Sequence, residues 1–272
     1  MKITRYSTFV AVAILAILFV FPMYVALLMS LKTAKQTFDS FYSLPTSLNF
    51  VNYTHAWSTS KYPAAFINSL IVTGISVALI IFASALAGYA IARRSKPFYN
   101  FIFILFLSGM MVPFQVIMLP LYQIGKAFHL VNSHWGLALI YGGFGVQMGV
   151  LFYTGFVKGI SREIEEAARI DGCSTPGIFI RVVMPLLKPV TATVLVLNAL
   201  YIWNDFLLPL LYLQDKNYRT IPLQQYFFFG QYSSDLNLAF AYAVMGMIPI
   251  IIFFLFMQRF IIKGIAAGAI KG

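Results

Sequence analysis

The residues that could do chemistry are concentrated in one polar stretch, residues 161–185, which we call the charged loop. All three glutamates of the chain lie there (Glu163, Glu165 and Glu166), together with three arginines and the single cysteine, Cys173. Long apolar runs flank the loop on both sides. A segment so rich in charge must remain in water, where its chemistry is ion pairing and docking. A lone cysteine supports neither an internal disulfide nor a metal cluster, so no metal and no cofactor is expected.

The remaining sequence carries no pattern for hydrolysis. The phosphate-binding pattern G-x-x-x-x-G-K-[ST] does not occur, so this polypeptide is not expected to hydrolyse ATP itself. The three histidines, His55, His129 and His134, fall in polar connections or at the edge of an apolar run, and His-Glu-x-x-His is absent. We therefore predict that the chain is not an enzyme.

The order of residues in the charged loop predicts two short helices set at an angle. Ser161 can cap the first, whose early glutamates suit the positive end of the helix dipole. Gly172 ends it in the left-handed conformation that glycine adopts at low cost. Thr175 and Pro176 are expected to cap and begin the second helix, and Pro185 to close it.

The first of these helices needs a packing partner, because about ten residues make only a marginal helix in water. Its apolar residues are Ile164, Ala167, Ala168 and Ile170. They pack either against the chain's own membrane bundle or into the groove of another protein, and the sequence leaves both alternatives open.

The elements that position this loop are membrane spans. A hydrophobic content of 60% with only 10% charged residues excludes an ordinary soluble domain and a disordered chain. We predict an all-α membrane protein, one transmembrane domain over residues 1–272, with six spans at about 7–31, 64–92, 98–124, 136–157, 186–213 and 238–257. Pro113 and Pro120 should kink or unwind the third. The connections 32–63 and 214–235 are expected to be exposed loops.

Basic residues predict the orientation of these spans. One set of alternate connections, including both termini and the charged loop, holds 13 lysines and arginines, and the other set holds 6. Since cytoplasmic segments carry the excess of basic residues, both termini and the charged loop are expected in the cytoplasm. Topology thus explains the net charge of +11, and no nucleic-acid partner is expected.

The charged loop also resembles a known motif. Glu166-Ala167-Ala168, three residues, Gly172, nine residues and Val182-Val183-Met184-Pro185 resemble the EAA loop of the membrane subunits of binding-protein-dependent ABC importers. The usual form ends Ile-x-Leu-Pro, so Val182 and Met184 are conservative departures. The resemblance extends over nearly the whole chain, through Asn68-Ser69-Leu70, Trp203-Asn204-Asp205-Phe206 and Gln258-Arg259-Phe260…Lys271-Gly272. These features are similar to the carbohydrate-uptake branch and to the smaller membrane component of the maltose importer.

The resemblance implies a permease subunit in the cytoplasmic membrane of a bacterium or archaeon, surrounded by lipid. Its implied partners are a second, different permease subunit, two ATP-binding subunits and an extracytoplasmic solute-binding protein, for which 214–235 is a plausible docking segment. The loop would dock onto the ATP-binding subunit, and the residues expected in that coupling are Glu165, Glu166, Ala167, Ala168, Asp171, Gly172 and Pro185.

The implied cargo is a carbohydrate, a di- or oligosaccharide, with glycerol phosphate or a polyol as the alternative. An indole beside paired amide and carboxylate groups could stack on and hydrogen-bond a sugar, so the residues expected along the path are Trp203, Asn204, Asp205, Gln115, Tyr141 and Gln147. Equally, Asp205 and Asn204 could satisfy backbone groups at a helix break before Pro209. In the maltose system the partner membrane subunit supplies the principal sugar site, so this chain either contacts the sugar or only lines its path. The rival class is an ion-coupled secondary transporter, which needs ionisable groups near the midplane; only Asp205 comes close.

Overall fold

The computed structural model describes residues 2–231 and 235–269, with the side chains of 8–230 and 235–260. Residues 232–234 of the predicted outer segment and the Lys271-Gly272 of the resemblance lie outside this range. The helices are α1 Lys2–Ser30, α2 Ala34–Asp39, α3 Val51–Thr59, α4 Tyr62–Arg93, α5 Pro97–Gly109, α6 Phe114–Ala127, α7 His134–Lys158, α8 Arg162–Ile170, α9 Thr175–Ile178, a π-helical segment Phe179–Val183, α10 Met184–Leu186, α11 Lys188–Asn204, α12 Leu207–Tyr212, α13 Ile221–Gln231 and α14 Leu236–Ala269. Every regular element in the described ranges is helical, so the all-α prediction is confirmed.

Four of these helices contain a stretch long and apolar enough to cross a membrane unaided: Thr8–Ser30, Tyr62–Arg93, His134–Lys158 and Leu236–Phe260. Two further apolar stretches are broken pairs, Pro97–Gly109 with Phe114–Ala127 and Thr175–Leu186 with Lys188–Asn204. By length and composition, the described chain holds four candidate spans, or up to six if each bent pair is one span. The second pair begins at Thr175, inside the charged loop, rather than at residue 186 as predicted.

The first bent pair turns by 102° between α5 and α6. The chain leaves α5 through tight turns, with the Met110 N–H donating to Leu107 O at 3.1 Å, and restarts after Pro113. Proline has no N–H to continue the ladder and restricts the residue before it to extended conformations. Pro120, by contrast, stays inside α6. The predicted third span is therefore divided at Pro113.

The second bent pair turns by 74° at Leu187. Lys188 then begins α11 with Pro189 in its first turn, where a missing N–H costs nothing. The predicted fifth span, 186–213, also has a second break further along the chain, where α11 ends at Asn204 and the short α12 begins at Leu207.

Small residues let α4 and α7 approach closely. A Cβ placed on Gly149 would lie 2.6 Å from Ser84 Cβ, and one placed on Gly88 would lie 2.6 Å from Tyr153 Cβ. Ser84 and Gly88 are four residues apart on α4, so they share one face of that helix. Small residues at this spacing are a common means of helix association in membranes, and here they hold the C-terminal half of α4 against α7.

The described residues divide into two compact units, Met1–Phe66 with Ile221–Ile250 and Ile67–Thr220 with Ile251–Gly272. The second unit contains the charged loop. In the first, the Tyr62 hydroxyl donates to Met245 O at 2.8 Å, and the Asn237 amide donates to Met29 O at 2.8 Å. These bonds join parts of the chain that are distant in sequence.

The connection at 32–63 is mostly exposed, as predicted, but it is not only loop. It contains α2 and α3, and Lys32 is fully buried, with Nζ donating to Ser40 O at 2.9 Å and to Phe41 O at 3.2 Å. The sequence signal for the start of α2 is a capping box, in which Thr33 Oγ1 accepts the Gln36 N–H and Gln36 Oε1 accepts the Thr33 N–H. The connection 214–235 is likewise partly helical, because it contains α13.

Candidate functional site: the charged loop

The first helix of the charged loop, α8, begins and ends as its sequence predicts. Ser161 Oγ accepts the Glu163 N–H at 3.3 Å. At the other end Gly172 has φ +84°, the Gly172 N–H donates to Arg169 O at 3.1 Å and the Cys173 N–H donates to Ala168 O at 3.0 Å. The left-handed glycine therefore turns the chain sharply enough to satisfy the last carbonyls of α8.

The second helix of the charged loop differs from the prediction at both ends. Ser174, not Thr175, is its cap, since Ser174 Oγ accepts the Gly177 N–H at 3.3 Å and Thr175 is already the first residue of α9. Pro185 does not close the helix. A proline crowds the carbonyl four residues earlier and donates no hydrogen bond; the preceding turn is π-helical, with the Met184 N–H donating to Phe179 O, and the helix continues to Leu186.

One buried ion pair fastens α8 to the last turns of α4. Arg93 Nη2 and Nε each lie 2.6 Å from Glu165 Oε1, and the Tyr89 hydroxyl donates to Glu165 Oε2 at 2.8 Å. Arg93 Nη2 also donates to Ile160 O at 3.0 Å. The two charged side chains are only 12% and 10% exposed. Both charges of the pair therefore have partners, and the contacts tie the start of α8 to the end of α4.

Sequence reasoning missed the partners of Glu165. Arg93 was interpreted only as a basic residue at the end of a span, and Tyr89 was not considered. Both are more than 70 residues from Glu165 in the chain, so only the packing of α4 beside the loop brings them together. The available signal was indirect, because Arg93 and Glu165 lie in two segments that the basic residues predict to be on the same side of the membrane.

The two sides of α8 have different surroundings. Arg162, Glu165, Glu166 and Arg169 face a cleft of about 710 Å³ that α4 and the second loop helix complete. The other side exposes Ile164, Ala167 and Asp171, with Ile164 45% exposed and Ile170 87% exposed. Of the remaining coupling residues predicted, Ala168 is half-buried and Pro185 is exposed. The apolar residues Ile164 and Ile170 therefore stay largely uncovered by the described chain.

Comparison with known proteins assigns this chain to a family. Residues 80–266, which include the whole charged loop, match the model of the family described as binding-protein-dependent transport system inner membrane component. The chain belongs to this family. It is a membrane component of a transport system, as the resemblance implied.

Curated relatives cover nearly all of this membrane component. The melibiose/raffinose/stachyose import permease protein MelC of Bacillus subtilis is 37% identical over 272 residues, 100% of this chain and 98% of MelC. The probable starch degradation products transport system permease protein AmyC of Thermoanaerobacterium thermosulfurigenes is 39% identical over 95% of this chain and 94% of AmyC. A chain from the crystal structure of a bacterial ABC transporter involved in the import of the acidic polysaccharide alginate has the same fold, with a TM-score of 0.79 at 22% identity, over 95% of this chain and 96% of that chain.

The side chains of the Trp203–Asp205 group do not come together to form one binding site in this membrane component. Trp203 is buried, while Asn204 is exposed and its amide donates to Leu200 O at 2.8 Å. Asp205 follows the last residue of α11, where Oδ1 accepts the Leu207 N–H at 3.1 Å and Oδ2 accepts the Tyr141 hydroxyl at 2.8 Å. In the structure, Asp205 and Asn204 thus bond the backbone at the helix break, and Asp205 also fixes Tyr141.

A second cleft, of about 480 Å³, lies where the break between α5 and α6 meets α7 and α11. Of the predicted path residues it includes Tyr141 and Gln147. Gln115 is exposed, but neither Gln115 nor the Trp203–Asp205 group lines this cleft. Sequence reasoning missed its other notable side chains, which are Phe114, Phe144, Asn198 and Tyr201. In the sequence these aromatic and amide residues cannot be told from other residues of the spans. Only the bend at Pro113 brings them to one cleft between helices.

Proposed function

We propose that this chain is a permease subunit of an ATP-driven importer that takes up a carbohydrate, a di- or oligosaccharide delivered by an extracytoplasmic binding protein. Its proposed partners are a second, different permease subunit and two ATP-binding subunits, with the charged loop and both termini in the cytoplasm. The observation that carries the proposal is the charged loop: it is fastened to α4 by Glu165 and Arg93, yet exposes Ile164 and Ile170. The names of MelC and AmyC support the class of cargo.

This geometry suits the transmission of force rather than catalysis. An ATP-binding subunit that grips the exposed side of α8 would move α4 through the buried ion pair, and α11 through the helix bent at Leu187. Rigid-body movement of this kind can switch a bundle between two states. The cargo and nucleotide then select the state to which each binds better.

The cleft beside the α5–α6 break is the proposed contact with cargo. Sugars present apolar ring faces and many hydroxyl groups, so aromatic rings and amides are suitable neighbours. Tyr201 is 58% exposed, and its ring meets that of Tyr141 edge to face at a centroid distance of 6.5 Å. We infer that Tyr201 offers a ring face to the sugar, while Gln147 and Asn198 provide polar groups nearby.

Replacing Tyr201 with alanine should lower carbohydrate uptake about twofold to tenfold, because an aromatic contact contributes about 0.5–1.5 kcal/mol. Tyr201→Phe keeps the ring and should retain most of the uptake. Initial rates of labelled sugar uptake, normalised to the amount of inserted protein, measure the effect. Unchanged uptake by Tyr201→Ala would remove this residue from the path.

Gly172→Val should abolish uptake while the protein still inserts. A Cβ at Gly172 would meet no atom within 4 Å, so the effect is one of backbone conformation, since φ +84° costs a non-glycine residue about 1–2 kcal/mol. Gly172→Asn is the matched control, because asparagine tolerates the left-handed region better. Normal sugar accumulation by the valine variant would count against a coupling role for this turn.

The proposed function is tested by purifying the tagged chain in mild detergent and assaying ATPase activity with and without a candidate binding protein. Recovery of an ATP-binding subunit, with hydrolysis stimulated by sugar-loaded binding protein, is the expected result. A panel including glycerol phosphate and polyols then identifies the cargo. Recovery of the chain alone, together with uptake that survives loss of the ATPase and collapses with an ionophore, would favour the ion-coupled alternative.

A further inference from the structure

The 710 Å³ cleft between α4 and the charged loop has a polar end and an apolar end. Its polar end carries Arg93, Arg94, Arg162 and Arg169 against Glu165 and Glu166, a net charge of +2. Its apolar end is formed by Phe82, Leu86, Phe179 and Ile180. Phe82 is 67% exposed and Ile180 is 64% exposed, so this end opens outward from the protein.

The apolar end lies along α4, well away from the arginines that end this helix. Phe82 precedes Arg93 by eleven residues of continuous α4, which is about 16 Å along the helix axis. One leaflet of hydrocarbon is about 15 Å thick. If the arginines at the end of α4 mark the membrane surface, Phe82 and Leu86 lie among the acyl chains.

The charges at the polar end are incompletely neutralised. Glu165 is bound to Arg93. Among the described residues Arg162 and Arg169 form no ion pair, and Arg94 contacts the hydroxyl and ring of Tyr99, which is a neutral partner. Both Arg162 and Arg169 are exposed at the cleft, so they are available to an anion.

We propose that this cleft binds an anionic phospholipid, with its phosphate headgroup between Arg162 and Arg169 and an acyl chain along Phe82 and Leu86. Basic pockets beside spans on the cytoplasmic side are suited to anionic headgroups. The apolar end favours a lipid over free phosphate, because Phe82 and Leu86 line the same cleft as the arginines and offer a surface on which an acyl chain attached to the headgroup can pack. The lipid would touch α4 and both loop helices, and would therefore stabilise the position of the charged loop.

The test is native mass spectrometry of the purified chain in detergent with equimolar phosphatidylglycerol and phosphatidylcholine. Wild type should retain phosphatidylglycerol preferentially. The variant Arg162→Gln/Arg169→Gln should lose about tenfold or more of this preference, since each basic residue near an anionic surface contributes about a fivefold effect. Arg181→Gln is the matched control, because Arg181 is an exposed arginine of the same loop outside the cleft. Size-exclusion chromatography confirms that each variant is folded.

Three results would overturn the proposal. Equal retention of phosphatidylglycerol by wild type and the double variant would show that the cleft is not the site. Release of the lipid by an excess of inorganic phosphate would identify a general anion site. Absence of bound lipid from the complex purified with its partner subunits would assign the cleft to a protein partner.

Discussion

Replacing Glu165 with alanine is expected to lower uptake of the proposed sugar cargo strongly and to release the charged loop from α4. Arg93 would remain with its side chain only 12% exposed and without its carboxylate partner. Removing one member of a buried ion pair costs about 3–5 kcal/mol, because the other charge stays desolvated. The expected readouts are a loss of uptake of at least about tenfold, from loss of rigid coupling, and a lower thermal unfolding temperature.

Two controls separate coupling from general damage. Glu163→Ala removes an exposed glutamate of the same helix and should leave uptake nearly unchanged. Arg93→Met/Glu165→Met replaces the pair by apolar residues, a change that is often neutral or stabilising, and it should recover most of the thermal stability lost in Glu165→Ala. Normal uptake by Glu165→Ala at normal levels of inserted protein would contradict the proposed transmission through the ion pair.

Gly149→Val is expected to destabilise the contact of α4 with α7 by about 2–3 kcal/mol, the upper part of the range for overpacking. Any Cβ at Gly149 would approach Ser84 Cβ to 2.6 Å and would overlap the Ser84 hydroxyl. The helices must therefore separate, which shifts the end of α4 that carries Arg93. Thermal unfolding in detergent and the yield of monodisperse protein measure the loss.

Gly155→Val is the matched control on the same helix, since a Cβ there would meet nothing within 4 Å. It should change stability far less. Ser84→Gly removes the atoms that the new side chain strikes and should partly rescue Gly149→Val. Equal destabilisation by the two valine variants would mean that helix propensity, not the contact with Ser84, is responsible.

Much of the fold was predictable because the bilayer imposes simple rules. Long apolar runs, a polar charged loop with caps at Ser161 and Gly172, and proline breaks all leave local marks in the sequence. Predictions failed where the outcome depended on competition between local signals. Ser174 displaced Thr175 as a cap, and a π-helical turn let the helix pass Pro185.

The sequence by itself determined the class of protein, the number of apolar stretches, the charged loop and the resemblance that family comparison confirmed. These follow from composition, from local capping and from motif spacing. Only the tertiary structure decided that Glu165 is buried in an ion pair, that Ile164 and Ile170 are left uncovered, and that the cleft beside the α5–α6 break is lined by Tyr201 and Asn198 and not by the Trp203–Asp205 group. The physical reason is that pairing and burial depend on contacts between helices distant in the chain, and helical periodicity does not specify which neighbour faces each side.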